Sequence, residues 1–91
     1  MSEAASNVDL QLTDGTACAV VFSAGAGAAV SKQGQTCGSI DENELGVFAA
    51  RRNGAMELAV QVEAMLGQQA LTTDSQDRLM DAAYLWFQGN F

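Results

Sequence analysis

Two cysteines, Cys18 and Cys37, are the residues best suited to covalent chemistry in this chain. A reactive cysteine acts as its thiolate, which forms near neutral pH only beside a base or a cation. The chain contains no histidine, so Lys32 or an arginine would have to supply that help, and Ser-His-Asp catalysis is excluded. The apolar alternation around Cys18 predicts that this thiol is buried, which leaves Cys37 as the candidate for a thiol-based redox protein. The sequence leaves open whether the two cysteines pair.

Two glycines follow an apolar segment in the pattern Gly25-x-Gly27-x-x-Val30. A dinucleotide-binding fingerprint uses glycines in this way, so that the backbone approaches a pyrophosphate at a helix N-terminus. Here Val30 occupies the third glycine position, the next residues are poor helix formers, and 91 residues are too few for a complete Rossmann domain. The segment is better explained by a turn, a close backbone approach or the start of a strand, and we expect no cofactor.

Three acidic residues, Asp41, Glu42 and Glu44, offer oxygen ligands of the kind that Ca²⁺ and Mg²⁺ prefer. Their spacing does not match an EF-hand. Asp41 followed three residues later by Glu44 is typical of a helix N-terminus, where the first side chain accepts a hydrogen bond from a free backbone N–H. We therefore expect a helix start here and no metal site.

The C-terminal segment 79–87 is apolar around most of a helix, although a two-layer domain covers only one stripe of a helix. We expect Leu79, Ala83 and Trp86 to pack inward. The next face is predicted to bind a partner protein or a second copy, and the basic pair 51–52 adds a candidate contact. The candidate interaction residues are Met80, Tyr84, Phe87 and Arg51. The alternatives are that this helix is fully buried and that Arg51 makes an ion pair within the chain.

The hydropathy pattern predicts an α+β domain. Period-two alternation with Asp14-Gly15 between its halves predicts a β-hairpin, and a second hairpin would turn at Gln33-Gly34. An amphipathic helix follows, with a kink or a break at Asn53-Gly54, and a capping box of Thr73 and Gln76 begins a last helix that stops near Gly89. The expected fold is a small antiparallel sheet of two to four N-terminal strands packed on two C-terminal helices. The expected organisation is one domain over 1–91, with 1–7 disordered, 8–40 β-rich and 41–91 helical, and with elements at 8–12, 16–23, 30–40 and 42–66 before the last helix.

Composition limits the partners. Four basic and eleven acidic residues give a net charge of −7 and a pI near 4.1, which excludes binding through phosphate neutralisation. There is no apolar run of about 18 residues and no signal-peptide pattern at the start, so we expect a cytoplasmic protein that binds neither nucleic acid nor membrane.

The sequence favours a non-enzymatic interaction module with a protein partner or with itself: a regulatory or chaperone-like protein, or a homo-oligomer subunit. One alternative is a stand-alone domain recognised from outside, such as an antigen or a small-ligand binder. A lesser alternative is the thiol-based redox protein.

Overall fold

A computed structural model describes residues 5–51 and 54–88. These residues form an antiparallel sheet with the strand order β1-β2-β3-β4, followed by helices. The fold is therefore α+β, as the sequence predicts. The elements are β1 (Ala5–Gln11), β2 (Ala17–Ser23), β3 (Gly27–Lys32), β4 (Gln35–Ile40), α1 (Glu42–Ala50), α2 (Gly54–Met65) and α3 (Thr73–Gln88).

Both predicted hairpins are present. At the first turn, Gly15 donates its N–H to the Leu12 carbonyl oxygen (2.9 Å). At the second, Gln33 and Gly34 have φ values of 52° and 83°, as a two-residue hairpin turn requires. Strand β1 begins at Ala5 and pairs with β2 along its whole length, so residues 5–7 belong to the sheet rather than to a disordered terminus. Residues 1–4 lie outside the described residues.

The glycine-rich segment joins β2 to β3, two antiparallel strands, and does not open a helix. Gly27, with φ +91°, starts β3 and lies against the end of β4. A Cβ atom at this position would collide with the Ile40 carbonyl oxygen and would lie 2.8 Å from the Asp41 carbonyl carbon. The segment is thus a turn, a close approach and a strand start together, which is not the geometry of a dinucleotide-binding loop.

One face of the sheet packs against the helices. Alternate strand residues point inward, as the period-two pattern predicts, and each large apolar side chain contributes about 1.5–3 kcal/mol on burial. The opposite face carries Asn7, Asp9 and Gln11 and is open to solvent. The core includes Leu10, Leu12, Cys18, Val20, Phe22, Ala28, Val30, Ile40, Leu45, Leu58, Ala59, Val62, Leu66, Leu71, Leu79, Ala82 and Ala83.

The predicted helix over 42–66 is broken, so its two halves are separate helices. Helix α1 begins as predicted, since Glu44 donates its N–H to Asp41 Oδ1 (2.8 Å). It ends at Ala50, and the next residue, Arg51, is extended with φ −89° and ψ 148°. Gly54 starts α2 against the backbone of Phe48, where a Cβ atom would collide with the Phe48 carbonyl oxygen. The α1–α2 corner can close only because Gly54 has no side chain. The other residue of the predicted break, Asn53, lies outside the described residues.

Helix α3 is fastened to the sheet at both ends. Near its start, buried Ser75 Oγ accepts from the Gln11 backbone N–H (2.8 Å). Near its end, Trp86 Nε1 donates to the Ser23 carbonyl oxygen (2.9 Å). The predicted capping box at Thr73 is wrong by one residue, because Thr72 Oγ1 accepts from Ser75 N (3.2 Å). None of the described helices combines the length and hydropathy needed to cross a bilayer.

Candidate functional site

A groove of about 270 Å³ lies where the three described helices meet. We call it the α1–α3 groove. Three of the four residues that the sequence nominates for interaction, Met80, Tyr84 and Arg51, line it, although Arg51 is far from the other two in the chain. The remaining lining residues are Phe48, Ala49, Leu58 and Ala83.

The attachment of α3 to the sheet determines which of its faces is exposed. Leu79 and Ala83 are buried and Trp86 is half-buried, as predicted for the inward face. Tyr84, by contrast, is 57% exposed and Phe87 is 50% exposed. Phe87 follows Tyr84 by three residues, so it extends the same helix face beyond the groove. The structure therefore leaves two aromatic rings facing solvent on a helix that is fixed in place.

Arg51 lies at the rim of the groove, between α1 and α2. Its Nη1 atom forms an ion pair with Glu57 Oε2 at 3.0 Å. The two side chains are 59% and 44% exposed, so this pair contributes no more than about 1 kcal/mol. The contact that the structure gives Arg51 is thus an ion pair within the chain, and Arg51 is the one cation among the described residues that line the groove. Arg52, which follows Arg51 in the basic sequence pair 51–52, lies outside the described residues.

Helical spacing places three exposed carboxylates beside residues that line the groove. Asp77 lies three residues before half-buried Met80, and Asp81 lies three residues before exposed Tyr84. Residues with this spacing are neighbours on a helix surface. On the other wall, exposed Glu44 lies one helical turn before the groove residue Phe48. We call Asp77, Asp81 and Glu44 the acidic rim.

A second exposed apolar surface lies on α2. Met56 is 67% exposed and Val60 is 65% exposed, and exposed Ala64 continues the same four-residue spacing. We call these three residues the α2 face. The sequence analysis did not identify this face. The four-residue spacing of apolar residues on the side of α2 opposite buried Leu58 and Val62 could have indicated it. None of these three residues lines the α1–α3 groove, so we take this face as the weaker candidate for docking.

A larger depression, of about 430 Å³, lies between β1 and the start of α3. Its polar groups are already used within the chain. Arg78 forms an ion pair with Asp74 (3.1 Å) and donates to the Asp9 carbonyl oxygen (3.4 Å), while Ser75 bonds to the Gln11 backbone. These contacts attach α3 to the edge of β1. We therefore assign this depression to the attachment of α3 and not to binding, despite its larger volume.

The two cysteines occupy different environments and are both free thiols. Cys18 is buried on the inner face of β2, and burial raises the pKa of its thiol. Cys37 is exposed in a β-bulge of β4, where Val30 pairs with Gly38 but Ser31 pairs with Thr36. The Sγ atom of Cys37 donates to the Gln35 carbonyl oxygen at 3.6 Å.

This difference predicts selective alkylation. In the native protein iodoacetamide should modify Cys37 rapidly, whereas Cys18 should react only as fast as the chain opens, because it is buried and its thiolate is disfavoured. Mass spectrometry of timed samples would follow each thiol, with Cys37→Ser isolating Cys18. Equal rates at the two positions in the native protein would contradict the buried position of Cys18.

No group of three or more cysteines, aspartates or glutamates among the described residues is arranged to hold a metal ion. The carboxylate of Asp41, a candidate ligand, instead caps α1.

Comparisons with protein-family models, curated proteins and solved structures found no match to this chain. Support for a function therefore comes from the chain's own residues, and above all from the α1–α3 groove.

Proposed function

We propose that this chain is a non-enzymatic interaction module that binds a partner protein through the α1–α3 groove. The observation that supports this proposal is the pair of exposed aromatic rings, Tyr84 and Phe87, beside an apolar groove. Tyrosine and other aromatic side chains are enriched at interface centres because they bury a large area at a small entropic cost.

The two exposed rings supply part of the free energy that binding requires. A phenylalanine or tyrosine side chain that is about half exposed would bury a further ~100 Å² on binding, which corresponds to roughly 2 kcal/mol for each ring before the costs of association. Met80 and the groove walls add further apolar area. Two such anchors near one pocket are typical of an interface in which a few residues supply most of the affinity.

The groove also has a rigid framework. The hydrogen bonds from Gln11 to Ser75 and from Trp86 to Ser23 hold α3 on the sheet, and the close contact of Gly54 with Phe48 fixes α1 relative to α2. A surface that is already ordered loses little conformational entropy when a partner binds. Preorganisation therefore favours binding here over binding at a mobile segment.

Paired substitutions test the proposal. We expect Tyr84→Ser/Phe87→Ser to abolish complex formation without unfolding the chain, because both rings face solvent. The matched control is Met56→Ser/Val60→Ser, which removes the same number of exposed apolar side chains from the α2 face. Each form would be used to capture partners from an extract of the native source, followed by light scattering and mass spectrometry.

The expected result is a stoichiometric complex with the unmodified chain and with the α2-face control, but not with the groove variant. Chemical denaturation should place both variants within about 1 kcal/mol of the unmodified chain, as is usual for surface sites. Retention of the complex by the groove variant, or its loss in the control alone, would contradict the proposal.

A further inference from the structure

We propose that the occupant of the α1–α3 groove is an amphipathic helix of another protein, with lysines or arginines beside its apolar anchors. This inference rests on the proposed function and specifies the partner by its chemistry.

The shape of the groove favours a helix. Two of its walls come from helices, α1 with Phe48 and Ala49, and α3 with Met80 and Tyr84, while Leu58 of α2 completes the lining. Amphipathic helices dock in such grooves through apolar side chains at positions i, i+3 or i+4, and i+7. A volume of about 270 Å³ holds a few such side chains.

The charge around the groove favours a basic partner. Asp77, Asp81 and Glu44 are all exposed, and helical spacing places the first two beside the α3 wall and Glu44 beside the α1 wall. The described cation that lines the groove, Arg51, is already paired with Glu57. Opposite charges at the rim of an interface speed association and reject partners of the wrong charge.

A second copy of this chain fits this rim less well. It would carry the same net charge of −7 and would bring another acidic rim towards the first. Like charges placed together across an interface are unfavourable. A lysine-rich or arginine-rich helix meets the rim with opposite charge instead.

The aromatic rings add a reason for basic side chains. Tyr84 lies one helical turn from Asp81, so an exposed ring and a carboxylate are neighbours on the same surface. A lysine or arginine can contact the face of such a ring while its charge is balanced by the carboxylate. This pairing gives a basic partner two favourable contacts at one position.

Three synthetic peptides test the inference. The first is a helical peptide with leucines at i, i+4 and i+7 and lysines on either side of them. The second replaces the lysines by glutamates, and the third replaces the leucines by serines. None contains tryptophan, so the single tryptophan of this chain, Trp86 on α3, serves as the fluorescent reporter beside calorimetry.

We expect the lysine peptide to bind and the serine peptide not to bind. The glutamate peptide should bind about tenfold or more weakly than the lysine peptide, and added salt should reduce this difference. Asp77→Asn/Asp81→Asn should weaken the lysine peptide selectively. Tyr84→Ser/Phe87→Ser should abolish its binding, and Met56→Ser/Val60→Ser should leave it unchanged.

Each contrary result overturns the inference in a distinguishable way. Equal affinity for the lysine and glutamate peptides would refute the basic partner while leaving the groove as a protein site. Absence of peptide binding, with self-association that Tyr84→Ser/Phe87→Ser abolishes, would make a second copy the occupant. If the protein neither binds the peptides nor associates with itself, the helical partner is refuted. The proposed function is then tested separately, by whether the groove variant still captures the complex from the extract.

Discussion

Gly54→Ala should destabilise the protein by about 2–4 kcal/mol, although alanine is the better helix former. Gly54 starts α2 directly against the backbone of α1, where an added Cβ would collide with the Phe48 carbonyl oxygen and lie 2.9 Å from the Phe48 Cα atom. Backbone atoms cannot move aside as the end of a flexible side chain can. The two helices would have to separate, which would expose apolar surface at the corner.

Gly46→Ala is the matched control, because the same change is made in α1 where a Cβ would meet nothing within 4 Å. Here alanine should stabilise the protein by roughly 0.5–1 kcal/mol through helix propensity and a less flexible unfolded chain. Denaturant unfolding followed by circular dichroism would measure both variants. If Gly54→Ala proved as stabilising as Gly46→Ala, then α1 and α2 would not meet closely at this corner.

Gly54→Ala should also disturb the α1–α3 groove. Phe48 and Arg51 line it from one side of the corner and Leu58 from the other. Separation of the two helices would therefore weaken partner binding even under conditions in which Gly54→Ala remains folded. Gly46→Ala should leave binding unchanged.

Gly27→Ala should cost about 3 kcal/mol or more, for two separate reasons. The backbone of Gly27 has φ +91°, which costs an L-residue roughly 1–2 kcal/mol. In addition, the new Cβ would strike the Ile40 carbonyl oxygen and lie 2.8 Å from the Asp41 carbonyl carbon, where β4 leads into α1. Relief of that collision would displace either the start of β3 or the start of α1.

Gly25→Ala separates the two costs. Gly25 also has a positive φ, +75°, but a Cβ there meets nothing within 4 Å. It should therefore show the conformational cost alone, about 1–2 kcal/mol. Thermal and denaturant unfolding would compare the two variants. A loss at Gly27 no larger than at Gly25 would show that the start of β3 does not pack closely on β4.

The strands could be predicted because their signals are local. Asp14-Gly15 and Gln33-Gly34 supply the backbone conformations of tight turns, and the alternation of Val8, Leu10 and Leu12 shows which face is buried. The start of α1 at Asp41 was equally local. Each of these features depends on residues that are neighbours in the chain.

Other features depend on how the folded elements pack, which one sequence does not reveal. The sequence left a kink and a break at Asn53-Gly54 both open, and the extended backbone of Arg51 and the close approach of Gly54 to Phe48 show a break. Thr72 and Thr73 are equally suited to cap a helix, and Ser75 selects Thr72. The attachment of Trp86 to Ser23 joins residues 63 positions apart in the chain.

The candidate site likewise combines residues that the local sequence indicates with residues that only packing brings together. Met80, Tyr84 and Phe87 could be nominated because helical spacing separates them from the buried face of α3. Phe48 and Leu58 have the pattern of ordinary core residues, and they line the groove only because α1 and α2 meet at a corner. The sequence thus indicated one wall of the site and could not indicate the others.

Site-specific photo-crosslinking would test most directly whether the α1–α3 groove is the binding surface. The photoreactive amino acid benzoylphenylalanine would replace Phe87, which keeps an aromatic ring beside the groove, and in a second protein it would replace Val60 on the α2 face. In an extract of the native source we expect irradiation to join a stoichiometric partner to position 87 and not to position 60. Crosslinks at position 60 with none at position 87 would contradict the account.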